Sequence, residues 1–327
     1  EKNYSIKDFV VLKKNNFECI FQNDILKGAK EVFGFNHDNS NYNTTSIYNL
    51  ISENFVFPQA DVVIGGFPCQ DFSHAGKRKG FDSEKGHDLK EKVVPAKDNS
   101  RGTLYKSFVE VVKRVKPKIF VAENVYGLMT MKNEPIKQIM KDFAEIGYDV
   151  NYQVIYCPDY GIPQTRKRVI IMGISKEKNK DISEGWNYIT KNKTTCNIGK
   201  YFQHLEEPTI TRDISQMMYS KAKKLKKGQG QTEVNLESFA PTMRAEHHGN
   251  IEFRRHKDSK CNVNEKDMIE RRLTVREAGL IQTFPPDYIF STKKNMVAYK
   301  YIGNAVPPLL GYLIADKINE LCNKHFS

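Results

Sequence analysis

DVVIGGFPCQDFS, residues 61–73, reads as a short β-branched strand that ends in two glycines and enters a Pro-Cys-Gln turn. β-Branched residues fit a pleated, half-buried surface, and glycine and proline end such a run. Cys69 on that turn is displayed at a sheet edge, whereas the usual fate of a free cysteine is burial as a small hydrophobe. Working outward, KIFVAENV (118–125), YDVNYQVIY (148–156) and KRVIIMGI (167–174) are strand-like by length and β-branching, and ECIFQND (18–24) is a shorter apolar run ending in an acid. ILKGAKEVFGF (25–35) has helical character. Leu104, Phe108, Val111 and Val115 recur at helical spacing, as do Ile136, Ile139, Met140, Phe143 and Ile146. This alternation predicts an α/β domain with a mostly parallel sheet. In such sheets ligands lie beyond the carboxyl ends of the strands, where Asp24, the segment after Gly66, and Glu123 all fall.

The composition sets the bounds. The 327 residues carry 51 Lys and Arg against 39 Asp and Glu, a formal charge of +12. With 39% hydrophobic residues the chain has enough apolar material for a core, so full disorder is excluded. No apolar run approaches the roughly 20 residues that span a bilayer. The first residues, EKNYSIKDFV, lack the basic-then-apolar pattern of a secretion signal. A cytosolic, globular, basic protein is expected, with nucleic acid the first candidate for its polyanionic partner. The six cysteines (Cys19, Cys69, Cys157, Cys196, Cys261, Cys322) form no CxxC pair. Structural zinc and a dense disulfide framework are therefore not expected, and cysteine chemistry would belong to a single residue.

Residues 175–270 break the alternating pattern. They are polar and lysine-rich, with KAKKLKK (221–227), the only tryptophan (Trp186), and RAEHHGNIEFRRH (244–256). They read as a second domain set between 1–174 and 271–327. Regular structure resumes at RRLTVREAGLIQTF (271–284), where Thr274 and Glu277 have capping-box spacing ahead of an apolar helical run. PPLLGYLIADKINELC (307–322) is a helix opened by prolines. The adjacent histidines His247 and His248 lack a carboxylate or cysteine at ligand spacing, so no metal is expected.

Two further segments carry candidate chemistry. Glu123 opens the ENV triplet at a strand end, and QTRKR (164–168) places Arg166 and Arg168 on one side of an extended segment. PCQ, ENV, QxRxR, RRLTVREAGLIQTFP and GNAVPP (303–308), with RGTLY (101–105) between the first two, resemble the C5-cytosine DNA methyltransferases in both content and order. The similarity runs from Phe17 to the C-terminus, with 175–270 aligned by position only.

The resemblance implies a fold and a mechanism. The fold is a Rossmann-like S-adenosylmethionine-dependent methyltransferase sheet with helices on both faces, plus a smaller irregular target-recognition domain over 175–270. In it Cys69 attacks cytosine C6, Glu123 serves N3 and needs a partly protonated carboxyl, and Arg166 and Arg168 hold O2 and neighbouring groups. The target base must be flipped out of the duplex, and the loop from Gln70 to Ser100, with Gly76, Gly80 and Gly86, would close over it. Asp24 would bind the cofactor ribose and Ile25 its adenine. Ile47 is the nearest match to a further adenine contact, Phe67 and Pro68 line the space between cofactor and base, and Asn304 lies near the cofactor. Gln70, Ser73, Arg78, Arg244, His247, His248, Asn250, Arg254 and Arg255 are candidate DNA contacts. The partners implied are double-stranded DNA and, as a system partner without required contact, a cognate restriction endonuclease. The enzyme is expected to be a monomer with no membrane association.

One departure stands out. The family's F-x-G-x-G-G cofactor loop is absent, because residues 1–24 contain no glycine. The expectation is that upstream residues supply it, with a split or degenerate enzyme as the second reading. A tRNA cytosine-5 methyltransferase is the alternative activity, but that branch carries PPC where this chain has PCQ. A DNA-binding fragment without catalysis is the alternative of another class. On the leading reading the positive charge gathers on one cleft from the 77–92 loop, Arg166 with Arg168, and 221–272.

Overall fold

The computed structural model describes residues 16–67, 104–131, 134–178, 189–191, 197–203, 205–220, 234–245, 253–254 and 271–326. The chain enters through β1 (Gln22–Asn23), α1 (Lys27–Gly34), β2 (Tyr42–Asn43) and α2 (Ile47–Ser52). β3 (Val62–Gly65), α3 (Leu104–Val115), β4 (Ile119–Val125), α4 (Pro135–Glu145), β5 (Tyr148–Tyr156) and β6 (Lys167–Ser175) follow. Beyond them lie α5 (Ile198–Phe202), α6 (Ile214–Met217), β7 (Phe253–Arg254), β8 (Arg271–Arg272), α7 (Val275–Ile281), α8 (Asn295–Asn304) and α9 (Pro308–His325).

The four strands expected from β-branching between residues 61 and 175 form one sheet in the order β3-β4-β6-β5. It is mixed rather than mostly parallel, which corrects the sequence expectation. β3 and β4 run parallel, while β6 is antiparallel to both β4 and β5. The reason is chain length. α3 belongs to the crossover between β3 and β4, but β5 and β6 are joined only by residues 157–166, too few for the crossover of a dozen or more residues that parallel strands need. β1 and β2 pair parallel in a small sheet of their own, so the ECIFQND run yields a shorter strand than its apolar length suggests.

Alternation along β4 and β6 divides the core. Ile119 and Val121, with Ile170, Met172 and Ile174, pack against Leu310, Ile314 and Ile318 of α9. Phe120 and Ala122, with Val169 and Ile171, pack on the other face against Val112 of α3 and Ile136, Ile139 and Phe143 of α4. Helices thus cover both faces. A third core joins α5, α7, α8 and residues 234–243, and Val32 of α1 enters it. Thr274 caps α7 in a complete capping box with Glu277. The same Glu277 and Glu207 hold the buried Arg271, at 2.8 and 3.1 Å, while Arg276 pairs with Asp213 at 2.6 Å. Burying those guanidiniums is tolerable because each is paired. Among the described residues no helix is long and apolar enough to cross a membrane.

Gly173 is fixed by packing. It lies opposite Phe120 in the ladder, and a β-carbon there would enter the Phe120 ring. That ring stacks on Phe143 with centroids 4.1 Å apart. Gly173→Ala is expected to destabilise the fold by about 1–3 kcal/mol, the usual range for overpacking. The check is a lowered urea midpoint with an unchanged slope; an unchanged midpoint would show that the ring moves aside at no cost.

Candidate active site

Parallel pairing of Gly65 with Ala122 brings the ends of β3 and β4 side by side. Gly65 is close-packed on the Phe108 ring, where a β-carbon would not fit. Phe67 is buried 6.1 Å from Tyr105, and its carbonyl accepts a hydrogen bond from Asn124 Nδ2 at 3.4 Å. Asn124 Oδ1 in turn accepts from the Val125 amide at 2.8 Å. Glu123 turns its carboxyl toward Gly66, whose β-carbon position lies 3.7 Å from Oε2. The backbone that leads into Pro68, Cys69 and Gln70 is therefore tied to β4 through Asn124, with the Glu123 carboxyl facing Gly66.

Register supplies the second charged group. Val125 faces Arg168 and Glu123 faces Ile170, so Glu123 and Arg168 share the face of the sheet that α9 covers. Arg168 Nε lies 2.6 Å from Glu123 Oε1, with the side chains 11% and 18% exposed. The pair is sheltered but open to something brought to it. Arg168 Nη1 also donates to the Lys167 carbonyl at 2.8 Å.

Arg166 behaves differently from its neighbour. It is 1% exposed, and its guanidinium donates to three main-chain carbonyls: Met243 at 3.0 Å, Gly303 at 3.1 Å and Ala305 at 3.1 Å. The two arginines thus differ in their surroundings: Arg168 meets Glu123, and Arg166 donates to main-chain carbonyls of the 243 and 303–305 segments.

The residues expected to hold a cofactor lie near the small sheet. Asp24 is exposed at the carboxyl end of β1, and its Oδ1 accepts from the Leu26 amide at 2.8 Å. Ile25 is half-buried. Ile47 packs with Phe21 on the Leu50 and Phe57 cluster. An open depression beside them is lined by Ile20, Phe21 and residues 40–44. Asn304 is exposed at the end of α8. One turn earlier, the Tyr301 hydroxyl sits 2.5 Å from where a Gly28 β-carbon would be. Burial, and then the charges of Glu31 and Asp24, push the Tyr301 phenol above its usual range, so α8 meets the start of α1 close to Asp24. Asp24, Ile25, Ile47 and Asn304 do not line that depression, and of the expected cofactor residues the exposed strand-end carboxylate of Asp24 fits a ribose diol as an acceptor.

Arg244 is exposed, just beyond the Met243 carbonyl held by Arg166. Cys69, Pro68, Gln70, Ser73, Arg78, His247, His248, Asn250, Arg255 and the Arg254 side chain lie outside the described residues, as do the 77–92 loop and 221–233. Arg271 and Arg272, at the end of the basic stretch, are buried and add nothing to an exposed basic cleft, which corrects that part of the charge expectation. The sequence reading missed Asn124, Gln164 and Gln282 as organising residues. Gln164 and Gln282 are buried within the QTRKR and LIQTF segments, where buried amides oblige hydrogen bonding. Among the described residues no cluster of three or more His, Cys, Asp or Glu side chains could hold a metal.

Chain comparisons now give these groups their context. Known structures with this fold include the S. pombe Dnmt2 methyltransferase, with a TM-score of 0.63 and 20% identity over 93% of this chain and 92% of that one. A methyltransferase encoded within an E. coli prophage gives a TM-score of 0.66 at 19% identity, over 94% of each chain. The fold is thus that of the Rossmann-like methyltransferases. The sequence profile of the C-5 cytosine-specific DNA methylases matches residues 10–320, and the chain belongs to that family. It is 33% identical to the type II methyltransferase M.BspRI of Lysinibacillus sphaericus, over 93% of this chain and 70% of that protein. Identity to M.BsuRI of Bacillus subtilis is 30%, over 93% and 68% of the two chains.

Cys157 lies near the same arginines, but burial pushes its thiol up to about 11 against their opposing pull. Burial thus holds it as the neutral thiol, a poor nucleophile. Iodoacetamide at pH 8 is expected to leave Cys157 unmodified in the folded protein, as read by peptide mass spectrometry. Alkylation as fast as in urea would contradict its burial.

Proposed function

We propose that the chain is an S-adenosylmethionine-dependent DNA cytosine-5 methyltransferase of a type II restriction–modification system. The observation that carries this reading is the strand-end arrangement: Asn124 holds the Phe67 carbonyl on the backbone that enters Pro68-Cys69-Gln70, and beside it Arg168 pairs with the Glu123 carboxyl. The names of the curated relatives support the system assignment.

Cytosine C5 is a weak nucleophile. In the proposed mechanism the Cys69 thiolate forms a bond to C6, and electron density moves into the ring toward N3 and C5. Glu123 meets the base at N3 with a hydrogen bond or proton, and Arg168 offers its donors to O2. The ion pair between these two residues keeps each aimed at the place the base edge enters. S-adenosylmethionine, when bound by Asp24, Ile25 and Asn304, supplies an electrophilic methyl group to C5, with S-adenosylhomocysteine as the leaving group. The C5 proton then passes to solvent as the C6–S bond breaks, releasing the Cys69 thiolate and returning the N3 proton to Glu123. None of these groups reaches C5 or C6 inside a stacked duplex, so the base is extruded first. Residues 175–270 act as the target-recognition domain, with Arg244 among its DNA contacts. Methylation protects DNA from a cognate endonuclease without contact between the two proteins.

Cys69→Ala is expected to abolish methyl transfer to duplex DNA, while undiminished turnover would exclude the covalent route. Glu123→Gln is expected to lower kcat by roughly 10²–10⁴-fold, the ordinary range for a lost acid–base group. Bisulfite sequencing of DNA from expressing cells reads out the site. Modification of tRNA in place of duplex DNA would overturn the substrate assignment.

A further inference from the structure

The buried polar groups behind the strand-end pair form one network. Arg166 Nη2 donates to the carbonyls of Gly303 and Ala305, both at 3.1 Å, and so brackets the exposed Asn304 between them. Its Nη1 donates to Met243, the residue before the exposed Arg244. Gln164 holds Met243 from the other side, accepting from its amide at 3.3 Å. Gln164 also donates to Gln282, which donates to Ala305. Between the two segments there is no room to spare: a β-carbon on Gly303 would lie 2.5 Å from the Ala245 amide nitrogen.

We propose that Arg166, supported by Gln164 and Gln282, is a positioning residue that sets Arg244 and Asn304 relative to each other, so that DNA binding and cofactor binding both depend on it. The inference rests on the proposed function for the roles of Arg244 and Asn304, and goes beyond it in joining them. A guanidinium suits the task because its planar fork directs donors to two segments at once, and a lysine ammonium on a flexible stem does not reproduce that fork. The acceptors described for its guanidinium are main-chain carbonyls of the segments carrying Arg244 and Asn304, and through these it sets both.

The test measures binding of S-adenosylhomocysteine and of a duplex bearing the methylated site separately, by calorimetry, with kcat and KM alongside. Arg166→Lys and Gln282→Leu are expected to weaken both ligands by roughly tenfold or more, as for lost hydrogen bonds to a charged group or a buried carbonyl. Arg244→Ala is expected to weaken DNA alone, and Asn304→Ala the cofactor product alone. A merely structural role would lower the melting temperature and the binding stoichiometry while leaving the dissociation constants of the folded fraction unchanged, and that result overturns the proposal. So does a loss confined to kcat, which would place Arg166 at the reacting base. If R166K does not fold, Q282L, which keeps the guanidinium, carries the same expectation. A wild-type chain that binds neither ligand would instead contradict the proposed function.

Discussion

The pairing of β4 with β6 is the constraint on which the molecule turns. Side chains alternate across a strand, so a slip of one residue would exchange its two faces. In the observed register Phe120 and Ala122 enter one core, Ile119 and Val121 enter the other, and Glu123 emerges on the same side as Arg168. Both faces are buried, so a slip would send each side chain into the core shaped for its neighbours, and Glu123 and Arg168 into the apolar core under α3 and α4. The alignment of the charged pair is thus a by-product of hydrophobic packing, which supplies a rigidity that two surface side chains could not supply for themselves.

Much of this was legible before the structure. The strands at 62–65, 119–125, 148–156 and 167–175 follow β-branched runs, and the helices at 104–115 and 135–145 follow apolar spacing. Pairing direction was less legible, because it depends on the length of connections and on which edge remains open. Glu123 stood out as an acid at a strand end. Arg166 and Arg168 looked equivalent, since spacing reports the side of an extended segment and not what lies there. Only the return of Gly303–Ala305 and Met243, far away in sequence, gives Arg166 its acceptors. Likewise Arg271 and Arg272 look like surface charge in a basic stretch, and it takes Glu207 and Glu277 to explain the burial of Arg271.

The polar interior follows a common economy. Removing a guanidinium from water is costly, and the compensation must be nearly complete. Among the described residues Arg271 meets two carboxylates, and Arg166 donates to three main-chain carbonyls. The difference matters. A carboxylate partner ties a contact to the identity of a distant side chain, whereas a carbonyl is offered by any residue.

The edge of the 234–245 segment is held in that second way. Ala240 exchanges main-chain hydrogen bonds with Pro163 and Thr165, at 2.9 and 2.7 Å, and Met243 is gripped by its amide and carbonyl. Main-chain groups join this seam, while the side chains of Ala240 and Met243 pack into the core with α7 and α8. On the proposed reading, a change of target sequence carried beyond residue 245 leaves intact the main-chain bonds that join this segment to Pro163, Gln164 and Thr165.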